Sequence, residues 1–540
     1  MPPTHIAILG GGLTGLSAAF HLARRFPSTP ITLLEKEHRF GGWVRSERVE
    51  VADGQRRRES MVLEAGPRTL RPRSMAVLEL IHLLNLTPAL LTVPLAAPAA
   101  RTRFLHLPPR PGLVPLPSSS FSLLSSPLAP LLLSALLREP FRASNRPDGV
   151  EDESVDAFLS RRFGRELARV MGSALVHGIY AADSRVLSVR AAFPALWDAE
   201  TQGRGSVVLG MLRRKQGEGE QETYETGEVE ETMKGVSVYT FIEGMETLVH
   251  ALLGALRQRE NVRLVSGERA TALSLDPISK SITITTPTHT LHPSHLVSAL
   301  PLPALAALLP DDPSLRLPHL TANPSASVTV VNLVFPQRVH PDGFGYLVPR
   351  SSGEEEGKGG GEGRVLGTVF DSCVGGAQDR VLGDDTGERF TKVTMMLRAP
   401  SRSSSPSHSP SSQSLLRTLT THLSPSPSPL PQPLLVRTHA QTECIPTPTV
   451  GHLARMKELR EVLGKEPWGG RVEVVVGDLK IAGRADVGMV IRVYRHLRIG
   501  TGHQERRALL LLAILGISGP LGRGLDPLRV LTRCLLHKRA

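Results

Sequence analysis

His5-Ile6-Ala7-Ile8-Leu9-Gly10-Gly11-Gly12-Leu13-Thr14-Gly15-Leu16-Ser17-Ala18-Ala19-Phe20-His21-Leu22-Ala23 stands at the head of the chain, and its reading decides the fold. The apolar run Ile6 to Leu9 has the character of a buried parallel strand. Three glycines then turn the chain, and Leu16 to Ala23 has the small and apolar pattern of a helix packed on that strand. The spacing Gly10-x-Gly12-x-x-Gly15 fits the dinucleotide fingerprint. Its first glycine makes a tight turn, its second lets a pyrophosphate approach the backbone, and its third lets helix and strand pack closely. The start of such a helix, around Gly11, Leu13 and Thr14, offers free N–H groups and a partial positive charge to phosphates.

Working outward, Ile31-Thr32-Leu33-Leu34 reads as a second strand. It ends at Glu35 and Lys36, about 20 residues on, where an acid is wanted for a ribose hydroxyl. Gly41-Gly42-Trp43 follows as a second point of close approach. A glycine-rich loop in some other α/β unit would share the glycines. It would not place strand, turn, helix, strand and acid in this order. NAD and FAD use the same unit, so the fingerprint does not choose between them.

A chain of 540 residues can bury several cores, and two or three domains is the natural expectation. Its 49 glycines and 44 prolines point to long interrupting loops. Cys373, Cys444 and Cys534 are odd in number and share no ligand spacing, which argues against a disulfide framework or a zinc site. The formal charge of +12 invites a nucleic-acid reading, yet +8 of it falls between Ile491 and Ala540, where ten Lys or Arg face two acids. The rest of the chain is mildly basic with few aromatics for stacking, so no nucleic-acid partner is expected; anionic lipid or a carboxylate substrate fits a basic chain as well. No segment reaches the roughly 18 uninterrupted apolar residues of a membrane span, and no cleavable signal precedes the first strand.

Met61 to Leu63 suggests a short strand, turned by Gly66-Pro67-Arg68 into an apolar helix from Met75 to Leu86. Arg68 is then either a surface arginine or a charged group aimed at a reaction cavity. Arg101 to Leu105 reads as a strand edge containing Arg103. Leu116 to Leu137 alternates apolar clusters with serines, which suits an interfacial amphipathic surface or a loop-rich helical cap. Ser154 is a candidate N-cap for a helix that opens there and continues through Leu175 to Trp197. Three stretches, Arg213 to Gly235, Ser351 to Gly363 and Ser401 to Pro433, are rich in Gly/Glu or Ser/Pro and are expected to be disordered.

The block Leu175-Val176-His177-Gly178-Ile179-Tyr180-Ala181-Ala182-Asp183 through Leu187-Ser188-Val189-Arg190-Ala191-Ala192-Phe193-Pro194-Ala195-Leu196-Trp197 resembles the mitochondrial-type protoporphyrinogen oxidases. Gly10 to Gly15, Glu35, Gly41-Gly42-Trp43 and Gly66-Pro67-Arg68 resemble their amino-terminal pattern. Phe241 to Leu248, Ser298 to Pro301, Ala322 to Leu333, Gly343 to Pro349 and Ile445 to His452 match in order, so the likeness runs from Ile6 to Val476 between insertions.

The resemblance implies an α/β fold. It has a Rossmann-like FAD-binding domain (1–87, 236–300, 451–490), a helical membrane or cap domain (88–205), and a mixed-sheet substrate domain (301–450). Residues 206–235, 351–363 and 401–433 would be insertions, and 491–540 an atypical basic tail. It also implies FAD held by Gly10 to Gly15, Glu35, Lys36, Gly41, Gly42, Trp43, Gly66 and Pro67. The substrate would be a porphyrinogen met by Arg68, Arg103 and the cavity wall at Gly178, with O2 as acceptor and hydrogen peroxide as product. A mitochondrial inner-membrane surface and a second copy of the chain are the other partners it suggests. No general base can be named. Residues Asp478 to Ala540 lack the family's double-glycine turn and final helix. Two alternatives stay open: another flavin oxidase acting on an amine or a carotenoid, and an FAD-fold protein left inactive by its altered end.

Overall fold

A computed structural model describes residues 3–475, apart from 55–56, 144–145, 147–148, 214–223, 277, 351–364, 383–388, 400–410 and 425–428. A five-stranded sheet carries the opening segment, in the order Val472–Val474, His295–Ser298, Ile6–Leu9, Ile31–Glu35, Val262–Ser266. All its pairings are parallel, and Ile6 stands in register with both His295 and Ile31. Every residue of Ile6–Leu9 and Ile31–Glu35 is buried. Continuous apolar runs are what a parallel strand needs when helices cover both faces. Leu16 and Ala19 of the helix Leu13–Arg25 and Leu248 and Leu252 of the helix Glu246–Arg257 cover one face. Leu302, Leu305, Leu459 and Trp468 cover the other.

The second large sheet has seven strands, ordered Leu435–Pro446, Ser325–Phe335, Thr391–Arg398, Val365–Val369, Gly345–Leu347, Phe104–Leu105, Val114–Pro115. It is mixed: Gly345–Leu347 pairs parallel to Phe104–Leu105 and antiparallel to Val365–Val369. In a small antiparallel sheet Arg58–Glu64 is paired with Ser46–Ala52 on one side and Arg380–Val381 on the other. A helical block, from Val155–Phe163 through Val207–Arg213, packs its own core around Phe158, Leu159, Leu196 and Trp197.

Several sequence expectations need correction. The strand edge expected from Arg101 is a helical turn, Pro98–Arg101, and the strand is only Phe104–Leu105. The helix from Met75 stops at Leu83. The block from Val155 to Trp197 is not one continuing helix but a series of short ones. Residues 206–235 contain the helices Val207–Arg213 and Val229–Thr232, with Val207 and Val229 fully buried. Residues 401–433 contain the helix Ser412–Leu423, capped by Ser411 and anchored by Leu415, Leu416 and Leu419. In both stretches a few apolar side chains at helical spacing suffice for docking, and an average over the Ser- and Glu-rich surroundings conceals them. Among the described residues no helix is long and apolar enough to cross a membrane. The altered end at Asp478 to Ala540 lies outside the described residues, as does the stretch Ser351 to Gly363.

Candidate active site

The strand Ile6–Leu9 delivers its glycines to the carboxyl edge of the parallel sheet, where ligands bind in open α/β folds. A Cβ added to Gly15 would lie 1.9 Å from the Gly10 carbonyl oxygen, so the helix meets the strand here at a distance only glycine permits. Gly12 is the opposite case, since a Cβ there would meet nothing within 4 Å. No side chain caps the helix Leu13–Arg25, which begins beside that open space. The arrangement fits a pyrophosphate.

Glu35 is buried at the end of its strand and accepts from the backbone N–H of Gly11 at 2.6 Å and of Glu37 at 2.9 Å. The acid thus fixes the glycine turn from the end of the neighbouring strand. Lys36 is exposed and lies 3.5 Å from Glu37. The Gly41-Gly42-Trp43 loop comes back onto the turn: Gly41 N–H donates to the Gly11 carbonyl at 2.8 Å, and Gly12 and Gly41 form a bridge. Arg39 clasps this loop from behind, donating to the Phe40 carbonyl at 2.8 Å and the Val44 carbonyl at 3.0 Å. Glu246, at the start of the helix Glu246–Arg257, holds Arg39 at 3.2 Å.

The chain then reaches Glu64 and the Gly66-Pro67-Arg68 turn. A Cβ on Gly66 would strike the Trp43 carbonyl oxygen at 2.2 Å, so this turn lies directly on the Gly41-Gly42-Trp43 loop. Glu64 accepts from Ser46 Oγ and from the Met245 backbone N–H, each at 2.8 Å. Burial pushes its carboxyl up to about 7, against the pull of the Met245 N–H, the Ser46 hydroxyl and the Arg68 charge. Arg68 is not on the surface. It is 8% exposed, and its Nη1 lies 3.5 Å from Asp371 Oδ1, while Nε and Nη2 have no hydrogen-bond partner. A small polar cleft opens beside it, lined by Glu64, Thr240, Asn332, Asp371 and Thr394.

Arg103 and Gly178 lie near two neighbouring strands of the seven-stranded sheet, Phe104–Leu105 and Gly345–Leu347. Arg103 precedes the strand Phe104–Leu105, donates to the Ala100 carbonyl at 3.1 Å and stacks over the Phe344 ring at 5.6 Å. Burial lowers its pKa from the ordinary arginine value. A Cβ on Gly178 would meet Leu347 Cδ2 at 2.5 Å, which puts the helix Ser173–Tyr180 against the strand Gly345–Leu347. Phe344 accepts from the backbone N–H of Phe370, the residue before Asp371, so the surroundings of Arg103 and Arg68 are joined through one short segment. Glu64, Asp371 and Arg39 were not singled out in the sequence. An acid closing the apolar run Met61 to Leu63, just before Gly66-Pro67-Arg68, was the one visible signal for Glu64. Asp371 follows an ordinary strand and carries no local signature.

The family model for flavin containing amine oxidoreductases matches residues 13–394. A protoporphyrinogen oxidase of Schizosaccharomyces pombe is 30% identical over 488 residues, covering 86% of this chain and 93% of its own. The protoporphyrinogen oxidase of Homo sapiens is 32% identical over 468 residues, covering 85% and 91%. In fold, the chain is similar to a crystal structure of a putative protoporphyrinogen oxidase from Exiguobacterium. That likeness has a TM-score of 0.66 and 21% identity, covering 90% of this chain and 96% of the other.

Proposed function

We propose that this chain, which belongs to the flavin containing amine oxidoreductase family, is an FAD-dependent oxidoreductase that oxidises protoporphyrinogen to protoporphyrin in haem biosynthesis. The structural observation that best supports this reading is the contact between two parts. An open glycine cradle at Gly12 meets, through the Gly66–Trp43 contact, a crevice with the buried guanidinium of Arg68. The first suits a dinucleotide and the second a carboxylate-bearing substrate.

On this reading Gly10, Gly11, Gly12, Leu13, Thr14 and Gly15 bind the pyrophosphate, with Glu35 at the ribose. Gly41, Gly42, Trp43, Gly66 and Pro67 shape the passage toward the ring, and Lys36 stands exposed at the rim. FAD, when bound, supplies the acceptance of hydride that no side chain can provide. The protein orients the tetrapyrrole, whose propionates pair with Arg68 or Arg103, and excludes water from the crevice. Gly178, at the proposed cavity wall, gives the Leu347 side chain room to pack against its helix. Three two-electron rounds remove six hydrogens in all, as three hydrides and three protons, with O2 reduced to hydrogen peroxide in each. A membrane surface is part of the proposal, because Phe121, Leu124, Leu137 and Phe141 are exposed on and beside the helices Ser120–Ser125 and Ala129–Arg138. The location proposed is the mitochondrial inner membrane, and a homodimer is compatible with the exposed faces.

Anaerobic addition of protoporphyrinogen to the purified yellow protein tests the reading. Bleaching of the flavin absorbance, restored by air as porphyrin fluorescence appears, is the expected result. Bleaching by an amine and not by the porphyrinogen would defeat it.

A further inference from the structure

The described residues include a buried cation with a free face, and the surroundings of Arg68 explain why that face points one way. Within the guanidinium, Nε and Nη2 share an edge and direct their N–H bonds in parallel, which is the geometry that meets a planar pair of acceptors. Those two nitrogens are the ones without a partner, in a residue that is 8% exposed and lines the polar cleft. The remaining nitrogen, Nη1, is taken by Asp371. Asp371 is itself fixed from behind. Its Oδ2 accepts from Thr394 Oγ1, which in turn accepts from Asn332 Nδ2 at 2.7 Å. Asn332 Nδ2 also reaches the Glu64 carbonyl at 3.2 Å, so the chain of hydrogen bonds returns to the segment that carries Arg68. Thr240 Oγ1 and Asn332 Oδ1 border the same cleft and are likewise buried without partners. Buried polar groups in such number are satisfied by something that enters.

We propose that Asp371 is a positioning residue for Arg68. By holding Nη1 it turns the Nε–Nη2 edge into the cleft as a paired donor for a planar two-acceptor group. Two groups have that chemistry under the proposed function, on which this inference rests: a carboxylate of the tetrapyrrole and the N1–C2=O edge of the oxidised flavin ring, where two acceptors stand side by side. Asn332 and Thr394 hold Asp371 in place. Without the Asp371 charge the guanidinium is free to rotate, and the paired edge is lost from the cleft.

The test compares the flavin-loaded wild type with Asp371→Asn, Asp371→Glu and Thr394→Val. Binding of protoporphyrin is followed by its own fluorescence, KM and kcat by turnover, and flavin affinity by titration of the stripped protein. Asp371→Asn should weaken one of the two ligands about tenfold, the loss expected for one charge-assisted contact. A raised KM and weaker porphyrin binding with an unchanged flavin spectrum identifies the carboxylate. A raised flavin dissociation constant with shifted absorption maxima identifies the ring edge. In either case Asp371→Glu should recover part of the loss and Thr394→Val should reproduce it more weakly. Variants that melt like wild type, with KM, porphyrin binding, flavin affinity and spectrum all within about twofold, overturn the proposal. Should Asp371→Asn fail to fold, Thr394→Val decides by the same readouts. A wild type that takes up flavin but never oxidises porphyrinogen defeats the proposed function instead, and the flavin titration still reads the role of Asp371.

Discussion

Glu64 is a carboxyl held between opposing influences, and its pH behaviour follows from them. Burial raises it from 4.5 to about 7, while the Met245 N–H, the Ser46 hydroxyl and Arg68 act the other way. Between those two values the folded chain keeps a proton that the unfolded chain has released, so stability falls as pH rises through this window. Below it both states are protonated, and above it both are ionised, so the slope vanishes. The full effect is on the order of 3 kcal/mol. Glu64→Gln keeps the shape and removes the ionisation. Its melting temperature should therefore decline less than that of wild type from about pH 5 to 7, as read by differential scanning fluorimetry; superimposable profiles would show that Glu64 is ionised throughout. Arg103 gives a second expectation at this scale. It lies beside Phe344 and away from the glycine cradle, so Arg103→Ala should raise KM for the porphyrinogen and leave flavin content near wild type. Unchanged KM removes Arg103 from the substrate crevice. The two arginines also differ in what the sequence discloses. Arg68 follows a Gly-Pro turn that marks it, but only packing could tell a surface guanidinium from one that is 8% exposed.

The helical block turns on a buried ion pair that no local pattern announces. Arg162, on the helix Val155–Phe163, donates to Glu139 through Nε at 2.8 Å and Nη2 at 2.6 Å, and neither side chain is exposed at all. Glu139 also accepts from Ser206 Oγ at 2.6 Å and from the Val207 N–H at 2.8 Å, which caps the start of the helix Val207–Arg213. One carboxylate therefore ties three helical segments together. Removing its partner leaves an uncompensated buried charge, so Arg162→Ala should cost about 3–5 kcal/mol. Chemical denaturation would show this as a lower midpoint at unchanged slope, and a loss below about 1 kcal/mol would mean that water enters the site. Helices with clear caps were easier to read: Ser154 accepts from the Ala157 N–H as its position before Val155 suggests. The helix Ser412–Leu423 was hidden for the converse reason. Ser411 and the leucines at 415, 416 and 419 supply its cap and its buried stripe, yet Ser and Pro dominate the flanks. Leu419 is fully buried. Leu419→Ala should cost about 2–5 kcal/mol, the usual loss for a buried leucine, whereas an ornamental insertion would lose nothing.

Across the whole molecule, the chain repeatedly leaves the parallel sheet and returns to it. Its first two strands lie within residues 6–35, the next two within 262–298, and the last at 472–474. The first βαβ unit was legible because all its parts are consecutive, and the return at Ser298 was marked by its own motif. The order of strands in the seven-stranded sheet was not legible, since Phe104–Leu105 joins Gly345–Leu347 across more than two hundred residues with only two residues paired. This threading has a thermodynamic consequence. The seven-stranded sheet is formed largely from chain between strands four and five of the parallel sheet, so opening either sheet pulls on the other. Lys392 of the strand Thr391–Arg398 ties the seven-stranded sheet to the small antiparallel one, pairing with Asp379 at 2.7 Å and donating to the Val62 carbonyl at 2.8 Å. The two sheets should therefore melt as one unit. Flavin at one hundred times its dissociation constant should stabilise that unit by about 2.7 kcal/mol, moving the whole transition to higher temperature. Melting followed by flavin fluorescence and by far-ultraviolet circular dichroism should coincide, both with the cofactor retained and, by dichroism, at a lower temperature once it is stripped. Flavin release well below the loss of secondary structure would mean that the glycine cradle opens independently of the sheet that carries Arg103.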